Sequence, residues 1–170
     1  MNVFLNQQCD RALCRLASGD MSALEDVYHK MGRRIYLLAL SILRDTHTAK
    51  DIMQDTFVKL AEKAHAYRPG SNAIAFILTV TRNLSLNLLE RRHREYPTEH
   101  IPQADDNHSP SLAALEALAL LDETERQIVV LKLDGGMKHK QIAALLGIST
   151  EACQKRYRRA LDKLKPYYEL

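Results

Sequence analysis

Residues 141–149 read QIAALLGIS, and this run predicts a helix, a tight turn and the start of a second helix. Ile142, Ala143 and Leu146 fall at helical spacing and so turn inward together. Gly147 supplies the positive-φ residue at which a helix commonly ends. Ile148 returns to the core, and Ser149 or Thr150 caps the second helix. In that helix Cys153, Tyr157, Ala160, Leu161 and Leu164 line one face. The opposite face centres on Lys155, Arg158, Arg159 and Asp162, with Glu151 near its start and Gln154 and Arg156 flanking. Two readings fit such a helix. One is a solvated basic face on a three-helix bundle. The other is a helix-turn-helix whose second helix enters a major groove, where Arg and Lys bond guanine edges, Gln bonds adenine and all of them bind phosphate.

Working back from this motif, helices are expected at about 111–121 and 123–134, the second capped by Asp122, and Gly135-Gly136 turns the chain. Ahead of them lies YPTEHIPQADDNHSP, residues 96–110, with three prolines, no Lys or Arg and little apolar content. It predicts an extended, mobile linker. Upstream of the linker the apolar periodicity is again helical. A short helix is expected within the first eighteen residues. After Gly19-Asp20, residues Leu24, Val27, Tyr28, Met31, Ile35, Leu38 and Ile42 form the stripe of a long helix. Arg44-Asp45-Thr46 breaks it, with Asp45 or Thr46 capping the next. That helix ends near His65. The loop AYRPGSN comes next, and Ser71 caps a fourth helix that carries Ile74, Ile77, Leu78, Thr81, Leu84, Ser85 and Leu88 and ends in ERRHRE. No segment alternates with period two for long enough to be a strand. The expected fold is all-α: one lobe over 1–95, the linker 96–110, and a second lobe over 111–170.

The third helix contains DIMQDTF, Asp51–Phe57. Ala49, Ile52, Met53, Phe57, Leu60, Ala61 and Ala64 share its apolar face. Asp51, Gln54, Asp55 and Val58 share another. Two acids, an amide and a valine in one stripe suit a solvated surface, a pair of metal ligands or a docking surface.

Bulk properties narrow the classes. The chain has 170 residues, 46% hydrophobic and 26% charged, which is globular rather than disordered. The longest apolar run, IYLLAL, is too short to span a membrane, and the N-terminus lacks the pattern of a signal peptide. Cys9, Cys14 and Cys153 form no CxxC and leave an odd count, which fits a reducing cytosol better than a disulfide framework or a zinc site. Cys9 and Cys14 read as buried small hydrophobes rather than redox sensors. The seven histidines are scattered and include no HExxH. No catalytic constellation and no cofactor site is read. The net charge of +3 is unevenly spread. Residues 149–165 carry +4 and residues 82–95 carry +2, leaving the rest at −3. Two separated basic patches on a mildly acidic body suggest a polyanion held at two places.

Both lobes carry segments that resemble a known family. LDETERQIVVLKLDGGMKHKQIAALLGISTEACQKRYRRALDKL resembles region four of bacterial sigma factors. ALEDVYHKMGRRIYLLALSILRDTHTAKDIMQDTFVKLAEKAHAYRPG, with FILTVTRNLSLNLLERRHR downstream of it, resembles region two. With only a short linker between them, the chain is similar to the extracytoplasmic-function (ECF) class. The resemblance implies an alternative sigma factor with no enzymatic chemistry of its own. Asp51, Gln54, Asp55 and Val58 would then dock on the β′ clamp helices of core RNA polymerase. The AYRPGSN loop and the helix after it would grip promoter DNA at the −10 element and hold unstacked bases, through Tyr67, Arg68, Ser71, Asn72, Arg82, Asn83, Asn87, Arg91, Arg92 and Arg94. Glu151, Gln154, Lys155, Arg156, Arg158 and Arg159 would meet the −35 element. An anti-sigma factor is a further partner that the family implies.

The chain departs from the family pattern in places. Ala49-Lys50-Asp51 stands where A-E-D is usual, Phe76 where Trp is common, and Asn87 where Asp is common. Residues 151–156 read EACQKR where many relatives read GTVKSR, so no −35 preference transfers. The competing class is an autonomous helix-turn-helix regulator, with the first lobe serving oligomerisation or ligand binding. Binding of duplex operator DNA without polymerase would distinguish it. An enzyme using Asp and His groups is a third class, which a metal-binding assay would separate.

Overall fold

The computed structural model describes residues 3–95 and 112–167, with side chains from 3 to 92 and from 116 to 167. The expected linker 96–110 lies outside the described residues, as does the side chain of Arg94. Eight α-helices run in order among the described residues: α1 Val3–Ala17, α2 Ala23–Leu43, α3 Thr46–Lys63, α4 Ala73–Glu95, α5 Leu112–Ala119, α6 Glu123–Leu133, α7 His139–Leu146 and α8 Thr150–Leu164. Short 3₁₀ turns extend α3 over Ala64–Ala66 and α8 over Lys165–Tyr167. No strand occurs among the described residues.

Local chemistry sets the ends. Arg44 takes a left-handed conformation at φ 56° and returns its N–H to the Leu40 carbonyl, stopping α2. Asp45 then accepts from the Thr48 N–H and caps α3. At α4 the cap is Asn72, whose Oδ1 accepts from the Ala75 N–H at 3.0 Å, rather than the expected Ser71. Asx and Ser side chains cap about equally well, so register rather than residue type decided between neighbours. Asp122 and Glu125 form a reciprocal capping box at α6, each bonding the other's backbone N–H at 2.8 and 3.1 Å.

α2 is the axis of the molecule. A surface helix buries one stripe, but every residue of α2 from Ile35 to Leu43 is buried. α1, α3 and α4 surround it within the first lobe, and α6 of the second lobe packs on it as well. Ile128, Val130, Leu131, Met137 and Ile142 therefore join the same continuous core as Val27, Ile35, Leu38 and Ile77. A smaller cluster of Ala117, Leu121, Val129, Ala160 and Leu164 closes the far side of the second lobe.

The junction between lobes has reciprocal polar fastenings. The last carbonyls of a helix lack intrahelical partners. Near the end of α2, the Ser41 carbonyl accepts from buried Arg126 of α6 at 3.1 Å. Beyond the end of α6, the Asp134 carbonyl accepts from Arg34 of α2 at 2.6 Å. Gly135 fits beside Leu78 at this junction; a Cβ there would lie 2.6 Å from the Leu131 carbonyl oxygen and 3.1 Å from Leu78 Cδ1. Each large apolar side chain buried is worth about 1.5–3 kcal/mol, against about 0.5–1.5 for a typical hydrogen bond. Apolar burial thus supplies most of the attraction, and the arginines fix the register.

Candidate nucleic-acid interface and docking stripe

α8 is seated by the turn that the sequence marks out. Gly147 sits at φ 68° and its N–H bonds the Ala143 carbonyl. Ser149, not Thr150, caps α8 by accepting from the Ala152 N–H at 3.1 Å. Beneath it, Cys153 is fully buried, with its Sγ 3.8 Å from His139 Nδ1. Glu151, Gln154, Lys155, Arg158 and Asp162 are exposed. Arg156 and Arg159 are engaged elsewhere. Asp122 lies 3.6 Å from Arg156 and 3.8 Å from Arg159. Glu125, whose side chain is wholly buried, accepts from Arg159 at 3.0 Å and from Lys163 at 2.6 Å. Burial alone would push the Glu125 carboxyl up. Hydrogen bonds from Lys163, the Asp122 backbone and Arg159 outweigh it and hold the carboxyl below its ordinary range. Half of the predicted cationic face is therefore tied to the N-terminus of α6, where acids are also favoured by the helix dipole.

In the first lobe, α4 presents Asn83, Asn87 and Arg91 at four-residue steps on an exposed strip. Arg68 and Ser71 are exposed in the preceding loop. Asn72 is half-buried and spends its oxygen on the α4 cap. Arg82 reaches across to the second lobe and donates to Gln127 Oε1 at 3.0 Å. Arg92 donates to Thr48 Oγ1 at 2.7 Å and lies 4.0 Å from Asp45, so it braces the start of α3. Tyr67 departs most from expectation. The resemblance makes it a −10 contact, but it is only 5% exposed, with its ring against Phe76 at 5.2 Å and its hydroxyl on Asp10 at 2.5 Å. Burial, followed by that hydrogen bond, raises the hydroxyl above the ordinary phenol range, so it stays protonated as a donor. The loop folds back on α1, and an aromatic ring is worth more inside than out.

α3 matches the sequence reading closely. Ala49, Ile52, Thr56 and Leu60 are buried. Asp51, Gln54, Asp55 and Val58 are all exposed, Val58 at 60%. Phe57 is half-buried, with its ring 5.4 Å from that of Tyr28. Tyr28 itself is 40% exposed and extends the apolar edge of the stripe, although its helical register with Val27 and Met31 predicts a core position. Among the described residues, no group of three or more His, Cys, Asp or Glu side chains is placed to hold a metal ion. No described helix is long and apolar enough to cross a membrane. Cys9 is fully buried, and burial pushes its thiol up to about 11, which makes it a poor nucleophile.

The residues that hold these surfaces leave little trace in the sequence. Asn6, Asp10, Asp122, Glu125 and Gln127 are polar residues with partners far away in the chain. Only the capping-box spacing of Asp122 and Glu125 is a local signal.

The chain matches two families: sigma-70 region 2 over residues 13–95 and sigma-70 region 4 over residues 111–164. It is 30% identical over 160 residues to the RNA polymerase sigma factor CarQ of Myxococcus xanthus, covering 89% of this chain and 92% of that protein. It is 28% identical over 167 residues to the ECF RNA polymerase sigma factor SigE of Mycolicibacterium smegmatis, covering 89% of this chain and 65% of that one. Among solved structures, the fold is similar to the sigma factor RpoE of Bartonella quintana, crystallised with the anti-sigma factor NepR. The TM-score is 0.72 at 23% identity, over 86% of this chain and 96% of that one.

Proposed function

The chain belongs to the ECF class of RNA polymerase sigma factors, and from that premise we propose that it divides promoter recognition among three surfaces. α3 docks on core polymerase through Asp51, Gln54, Asp55 and Val58, with Tyr28 and Phe57 at its edge. The loop 67–72 and the Asn83–Asn87–Arg91 strip of α4 hold an unpaired strand at the −10 element. Amides read exposed base edges there, and arginines track the backbone. α8 enters the −35 major groove with Gln154, Lys155 and Arg158 foremost. The chain contributes binding and strand separation, and the transfer chemistry belongs to the polymerase. The site of action is the cytoplasm.

One observation carries this reading. Two exposed helix faces of opposite charge lie on separate lobes, acidic on α3 and basic on α8. The acidic stripe suits a protein partner, and the basic face suits a polyanion. Neither lobe alone need bind tightly, because a shared polymerase raises the effective concentration of each for its element. Promoter affinity should fall steeply with salt as phosphate counterions are released. Arg82 reaches DNA only after its side chain leaves Gln127. An anti-sigma factor is a second protein partner consistent with this reading.

The test is run-off transcription on fragmented genomic DNA, with core polymerase and either wild type or the Asp51→Lys, Asp55→Lys variant. Wild type should yield discrete new transcripts and co-elute with core. The variant should lose both while keeping its helical circular dichroism. Retention of core binding by the variant would refute the docking assignment.

A further inference from the structure

The loop 67–72 is held from outside, by α1. Asp10 Oδ1 accepts from the Tyr67 hydroxyl at 2.5 Å and from the Gly70 N–H at 2.7 Å. One turn earlier, Asn6 Nδ2 donates to the Ser71 carbonyl at 3.4 Å, and Asn6 Oδ1 accepts from the Ile74 N–H at 3.3 Å. Residues 6 and 10 lie on one face of α1, so a single helix edge runs along the loop. The Ile74 N–H is among the first four of α4 and has no partner in its own helix. Asn6 caps α4 from a distance, while Asn72 caps it locally through Ala75. Three of these four contacts hold the backbone after Pro69, the fourth holds the Tyr67 side chain before Arg68, and Arg68 and Ser71 are left exposed. Both α1 residues precede residue 13, where the match to region 2 begins.

We propose that Asp10 and Asn6 are positioning residues for strand capture. They hold the 67–72 loop in its binding conformation before the −10 strand arrives, with Tyr67 as a buried pivot rather than a base contact. This rests on the reading of that loop as part of the −10 site. The physical reason is preorganisation. A loop already ordered does not lose conformational entropy when it takes up a strand, so capture is tighter and promoter opening more complete. Asp10 suits the task because one carboxylate oxygen holds two donors, and hydrogen bonds to a charged acceptor are stronger than neutral ones.

The experiment uses holoenzyme reconstituted from core polymerase and the full chain, on a promoter recovered by run-off mapping. It measures thymine reactivity to permanganate across the −10 region and binding of a labelled single strand carrying that −10 sequence. Asp10→Ala should lower both by about tenfold, the loss expected for a charged hydrogen-bonding group. Asn6→Ala should lower them by less. Asp10→Asn keeps an acceptor oxygen for Tyr67 and Gly70 and should restore most of the loss. Core co-elution should be unchanged in all three. If Asp10→Ala opens the promoter as well as wild type while Arg68→Ala, Ser71→Ala does not, the loop reading stands and the positioning role falls. If the loop variant also opens it normally, the loop reading falls and takes the proposal with it. Equal loss of core co-elution in Asp10→Ala would assign Asp10 to general stability and overturn the proposal.

Discussion

α3 and α8 are both amphipathic helices with a charged outer face, but they use their charges differently. On α3 the acids Asp51 and Asp55 stand exposed beside Gln54 and Val58. On α8 the cations divide. Lys155 and Arg158 face solvent, while Arg156, Arg159 and Lys163 turn to Asp122 and Glu125 at the start of α6. The +4 of residues 149–165 therefore overstates the charge available to a polyanion. A count of basic residues measures attraction only after internal acids have taken their share.

The largest effect is expected from Glu125→Ala. It removes the N3 member of the capping box and the buried anion under two cations. Its bond to the Asp122 N–H is worth about 1 kcal/mol, while Asp122 itself still caps the helix. Arg159 and Lys163 are about half exposed and can rehydrate, so the whole loss is expected at about 2 kcal/mol in a urea titration. The Glu125 carboxyl lies below its ordinary range, so its contribution is complete above that range and is lost as pH falls through the depressed value. The gap between wild type and variant should therefore close in acid. A gap that persists there would mean that packing, not charge, is the cause.

Next in size is Arg158→Ala, expected to cost about tenfold in −35 duplex affinity with no change in stability, as for one good base or phosphate contact. Arg159→Ala should instead lower stability and affect DNA less. The reverse ranking would show that the ion pairs open on binding and that the whole basic face is used. The smallest effect is expected from Gly147→Ala. Space for the Cβ is open, so only the left-handed backbone resists, at about 1 kcal/mol. A larger loss of −35 affinity than of stability would show that the turn sets the angle of α8.

The all-α class, the helix order, the Gly147 turn and the α3 stripe were legible because each arises from local periodicity or a cap within a few residues. The burial of Tyr67 was not legible, because nothing nearby in sequence names Asp10, 57 positions earlier, as its partner. The IYLLAL run of α2 signalled more than membrane exclusion. Apolar residues on all sides of a helix announce neighbours on all sides, and the neighbour beyond the first lobe was α6.

Local spacing was enough to read which segments are helical, which faces are apolar, where charge accumulates and which family the motifs resemble. These depend on spacings of three and four residues and on the φ preferences of single residues. Only the packing of the helices brings Arg126 and Arg34 to the ends of each other's helices across the lobes, Arg82 to Gln127, α1 to the loop, and Arg156, Arg159 and Lys163 to their acids. Those outcomes depend on which helix ends come together in space. A side chain able to bond carbonyl, carboxylate or phosphate takes the partner that the packing of the apolar faces brings within reach.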